Sequence, residues 1–61
     1  MPNLTCKELT ALDDTLSSEQ NLVKKYQAMS CLCNDSKIQK DLENMAAIHQ
    51  QHVNTLVTFL Q

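Results

Sequence analysis

What most restricts this chain is a helical apolar spacing that runs its whole length and is interrupted once. Counting in alternating steps of four and three, the first half reads Leu9, Leu12, Leu16, Glu19, Val23, Tyr26, Ser30, Cys33, and the second Ile38, Leu42, Met45, His49, His52, Leu56, Phe59. That is the inward seam of two packed helices. The interruption is Asn34-Asp35-Ser36, the one turn signal in the interior. The chain has no glycine and a single proline at position 2, which argues against a turn-rich β architecture. The reading is all-α: helices over about 6–33 and 36–60, and a connection so short that they must pack antiparallel as a hairpin.

Local signals set the helix ends. Thr5 followed three residues later by Glu8 is a capping box, which starts the first helix. Thr15, Ser17 and Ser18 are weak helix formers near its middle, but no breaker stops it. Asn34 is a residue that can take the left-handed conformation ending a helix, and Ser36 with Gln39 forms a second capping box.

Three ionisable residues stand where the pattern asks for apolar ones: Glu19, His49 and His52. Folding the hairpin about Asp35 places position 19, sixteen residues before it, opposite position 51, sixteen after it and between the two histidines. The histidines are three apart, ~4.5 Å along one helical face. Glu19, His49 and His52 therefore share one layer, closed by Leu16 and Leu56 on one side and by Val23 and Met45 on the other. Buried ionisable groups are costly unless paired or metal-bound. Two imidazoles and a carboxylate are donors that suit a transition metal ion: zinc, iron, nickel or copper. Without metal, Glu19 would accept hydrogen bonds from the histidines, a polar layer that sets register and partner.

A chain of 61 residues makes one small domain, 1–61, with little surface to bury by itself. Apolar rows flank the seam: Leu22 and Met29 on the first helix, Ala46, Val53 and Leu60 on the second. A stripe that wide fits a four-helix bundle, and a second copy about a two-fold axis supplies the missing helices. Such a homodimer would bring two glutamates and four histidines together at its centre.

Other functions find no support here. Five lysines, no arginine and seven acids give a net charge of −2, no electrostatic footprint for nucleic acid. No apolar run approaches the ~20 residues of a membrane helix, and no signal-peptide pattern opens the chain, so synthesis in the cytoplasm is expected. No nucleophile–base pair or phosphate loop points to an enzyme. Cys6, Cys31 and Cys33 cannot all pair within one chain, and Cys31 and Cys33 point to different sides of a helix. They read as free thiols, with an intermolecular cross-link as the alternative.

The run Leu16-Ser17-Ser18-Glu19-Gln20-Asn21-Leu22, then Tyr26, then His49 and His52 before Leu56, resembles the spore coat protein F-like family of spore-forming Firmicutes. The resemblance covers roughly 11–60. That family is similar to ferritin-like proteins, whose first helix carries a metal-binding Glu with a Tyr seven residues on, as Glu19 and Tyr26 stand here. Their second helices carry Glu-x-x-His; His52 matches the histidine, and His49 takes the acid's place. The resemblance implies a structural spore coat or spore-associated protein with a ferritin-like bundle, meeting other coat proteins. A metal-binding or metal-oxidising ferritin-like protein is the alternative it carries.

Overall fold

The computed structural model describes residues 4–61. Helix α1 spans Cys6–Leu32 and helix α2 spans Ser36–Val57, followed by a single 3-10 turn over Thr58–Leu60. The two helices lie against each other along their length as a hairpin. The backbone measures 46 × 15 × 10 Å, so the molecule is two helices wide and one helix deep.

The first helix starts as its sequence specifies. The Thr5 hydroxyl oxygen accepts from the Glu8 amide at 3.0 Å, and the Glu8 carboxylate accepts from the Thr5 amide at 3.1 Å. Each satisfies a backbone donor that the first turn would leave unpaired. Its weak helix formers do not interrupt it. Thr10 and Thr15 donate their hydroxyls back to the carbonyls of Cys6 and Ala11, both at 2.9 Å, which keeps them compatible with helical backbone.

The turn differs from expectation in two respects. Asn34 is not left-handed, since no described residue has a positive φ. The chain leaves α1 in extended backbone at Cys33 (φ −84°, ψ 131°). The N-cap of α2 is Asp35, not Ser36: Asp35 Oδ1 accepts from the amides of Lys37 at 2.9 Å and Ile38 at 3.0 Å. A carboxylate at this place satisfies two donors and faces the positive end of the helix dipole, which a serine hydroxyl one residue later does not match. Gln39, expected to close the second capping box, reaches across the turn instead. Its side-chain amide donates to the Ser30 carbonyl at 3.0 Å, while the buried Ser30 hydroxyl points back to the Gln39 carbonyl and the Glu43 carboxylate, each at 3.5 Å.

The contact line of α1 is the expected one. Leu12, Leu16, Glu19, Val23, Tyr26, Ser30 and Cys33 are buried or half-buried, and only Leu9, at the open end, is exposed. On α2 the line is rotated. Leu42, Ala46 and Val53 are buried and His49 and Leu56 half-buried, whereas Ile38, Met45, His52 and Phe59, expected inside, are exposed. Two helices touch along one strip, which on α2 runs through Leu42, Ala46, His49, Val53 and Leu56. The row through Ala46 and Val53, expected to flank the seam, thus joins it beside Leu42, His49 and Leu56, and Ala46 is buried where Met45 was expected to be. The α-helix runs regularly to Val57; the expected last turn to Leu60 tightens into 3-10 geometry, with the Thr58 hydroxyl on the Thr55 carbonyl at 2.6 Å.

Candidate metal centre

Glu19 lies midway along α1, and the antiparallel register set by the three-residue turn brings it between His49 and His52, one turn apart on α2. Both histidines reach the same atom. His49 Nδ1–H donates to Glu19 Oε1 at 2.8 Å, and His52 Nδ1–H donates to the same oxygen at 2.7 Å. A carboxylate only accepts, so both rings hold their proton on Nδ1 and present it to one point. The layer expected from residue spacing is therefore formed, with Glu19 at its centre.

Exposure is graded across the layer. The side chains of Glu19 and His49 are 18% and 22% exposed, that of His52 53%. His49 is held from both sides. The Tyr26 ring stacks on it at 5.7 Å and 16° between planes, and the His52 ring meets it edge-on at 5.3 Å and 87°. Tyr26, seven residues after Glu19, is on the same face of α1 and joins the layer through its ring. The hydrogen bond from His49, followed by that from His52, holds the Glu19 carboxyl below its ordinary range against a smaller opposing effect of desolvation. Glu19 is thus ionised across the neutral range, the form in which it can bind a cation.

The donor set fits a transition metal. Glu19, His49 and His52 each offer one ligand atom, all within 4.8 Å of one another. Tetrahedral ligands at ~2.0–2.2 Å from one ion stand roughly 3.4 Å apart, so the oxygen–nitrogen pairs, now at 2.8 and 2.7 Å, would have to open by roughly 0.5–0.8 Å. Glu19, His49 and His52 would hold an ion through Nδ1 only with each ring in the other neutral tautomer, its proton on Nε2 and the Nδ1 lone pair turned toward the ion. Three protein donors leave a further coordination position free. Beside the layer a shallow depression, lined by Thr15, Glu19, His52, Thr55 and Leu56, gives access from one side of the hairpin.

The cysteines stand apart from this layer. All three are free thiols, Cys6 and Cys31 exposed and Cys33 half-buried with its Sγ 3.5 Å from the Asp35 carbonyl. Among the described residues no helix is long and apolar enough to cross a membrane. Residue spacing did not anticipate the two bonds converging on one oxygen or the stacking of Tyr26 on His49, although the i, i+7 spacing of Glu19 and Tyr26 is the signal that they share a face. The chain matches no protein-family model, no curated protein and no solved structure.

Proposed function

We propose that this chain is a structural, self-assembling protein of the spore coat, whose hairpins pair into four-helix bundles around a transition-metal layer made by Glu19, His49 and His52. The observation that carries the metal assignment is the convergence of two imidazole Nδ1 atoms on one carboxylate oxygen within the helix contact. Pairing of hairpins is supported by a backbone only 10 Å deep, since a single layer of helices leaves both broad sides uncovered. The spore coat assignment rests on the likeness of Leu16–Leu22, Tyr26, His49, His52 and Leu56 to that family. Its partners are then a second copy and other coat proteins. The three residues hold the ion; zinc, iron, nickel or copper suits them equally.

A second reading has an observation of its own. Both hydrogen bonds to Glu19 are complete without an ion, so the layer can serve as a polar lock that fixes helix register. Elemental analysis of protein purified without an affinity tag separates the two. Stoichiometric metal, with a melting temperature lowered by chelator, is the expected result. Protein that carries no metal, takes none up on addition and melts identically with chelator would assign the layer to register alone.

A further inference from the structure

The two broad sides of the hairpin differ in chemistry. Thr15 lines the depression beside Glu19 and His52, and Leu22 and Met29 continue its row along α1 in steps of seven. On α2, Ile38, Met45, His52 and Phe59 also stand seven apart, with His52 in that same depression. Both rows therefore flank the helix contact on one side. Met29, Ile38, Met45 and Phe59 are 42%, 51%, 38% and 49% exposed, and apart from His52, and Glu8 in the first turn of α1, neither row contains an ionisable side chain. The opposite side carries charge, with Lys24 and Glu43 beside Gln20, Gln27 and Gln50 in grooves that Cys31, Ala46 and Ala47 also line.

Three features say what covers the apolar side. The hairpin's own buried apolar core is Val23, Leu42, Ala46 and Val53, thin support for 61 residues. A surface with so few charges offers little to a partner recognised by charge, but it is complementary to itself, as a two-fold interface requires. And the metal layer opens onto this side, where its least covered ligand, His52, sits within the row. We propose that a second copy of this chain covers this face and closes the metal's open side, so that metal binding and dimerisation strengthen one another. The inference rests on the metal reading given above and adds to it the face used and the linkage between the two events. Linkage is reciprocal: whatever factor the ion adds to association, association adds to affinity for the ion.

Zinc ion is the probe, and the protein carries Cys6→Ser and Cys31→Ser so that exposed thiols do not compete for it. Sedimentation of a dilution series, with zinc and with chelator, should show a dimer whose dissociation constant falls at least about tenfold when zinc is present. Met45→Glu puts a charge on the apolar side without touching a ligand. It should shift the protein to monomer and weaken zinc binding by a comparable factor, while Gln27→Glu on the opposite side changes neither. Circular dichroism establishes that both variants remain helical, and the unsubstituted dilution series stands without them. Zinc bound equally well by Met45→Glu, or an association constant indifferent to zinc, overturns the linkage and leaves the metal site intact. No zinc bound at any concentration overturns both.

Discussion

Replacing Asp35 by alanine tests the turn on which the register of the Glu19–His49–His52 layer depends. Asp35 Oδ1 accepts from the amides of both Lys37 and Ile38, at 2.9 and 3.0 Å. Alanine leaves those two donors to water and removes a negative charge from the start of α2. Loss of an N-cap side chain costs ~1 kcal/mol, and loss of a favourable charge at a helix N-terminus ~0.3–1 kcal/mol. The two together come to about 1–2 kcal/mol, which for a domain of this size lowers the melting temperature by about 5–15 °C. Asp35→Asn keeps the accepting oxygen and loses the charge alone, so it should fall by only about 2–6 °C. Ser36→Ala removes a hydroxyl that caps nothing and should stay within ~0.5 kcal/mol of the parent. The assay is thermal unfolding followed by circular dichroism at neutral pH with chelator present, because a bound ion would mask the differences. If Ser36→Ala melts as low as Asp35→Ala, or if Asp35→Ala melts with the parent, the assignment of the cap is wrong.

The other predictions concern the layer and the core. Glu19→Gln keeps an oxygen for the two rings but removes the anionic donor, so metal affinity measured by calorimetry should fall at least about tenfold, the effect of losing even an outer-shell partner; unchanged affinity would remove Glu19 from the ligand set. In chelator, the folded-state pKa of Glu19 lies below its ordinary 4.5, so the stability it contributes is present above 4.5 and is lost as the pH falls through the lowered value. The melting difference between parent and Glu19→Gln should accordingly shrink below pH 4.5, and a difference that instead grows in acid would contradict the sign. Leu42→Ala, at a core position 9% exposed, should cost about 2 kcal/mol in chemical denaturation, near the low end for buried leucines because one layer of helices can relax around it; a loss under ~0.5 kcal/mol would mean that Leu42 is not core.

Residue spacing alone was enough for much of this architecture, for reasons that can be named. The Thr5–Glu8 box is a local exchange of two hydrogen bonds, complete within four residues and indifferent to the rest of the chain. The seam of α1 was legible because Leu9, Leu12, Leu16, Val23, Tyr26 and Cys33 keep one line apolar along most of the helix, with Glu19 and Ser30 as its exceptions. The meeting of Glu19 with His49 and His52 needed nothing beyond helix rise and a short turn, so counting outward from Asp35 found it. The inward row of α2 could not be read the same way. Ile38, Met45 and Phe59 form one apolar row and Ala46 and Val53 the next, and a stripe of that width does not tell which edge faces the neighbouring helix. The cap was ambiguous because Asp35 and Ser36 are adjacent and both are good N-caps. What tipped the balance was nonlocal: Gln39 is drawn to the carbonyl of Ser30, nine residues back, and that pull is invisible in a four-residue window.

The stacking of Tyr26 on His49 has an optical consequence. The chain has one tyrosine, one phenylalanine and no tryptophan, so apart from the weak contribution of Phe59 its intrinsic ultraviolet emission originates from a single phenol. That phenol lies 5.7 Å from the imidazole of His49. A change of charge or the arrival of a paramagnetic ion on that imidazole alters the decay of the excited ring, and copper should quench it strongly. Each hairpin thereby carries a built-in fluorophore beside His49, and a titration with acid or with a metal ion can be followed in unlabelled protein by its emission lifetime.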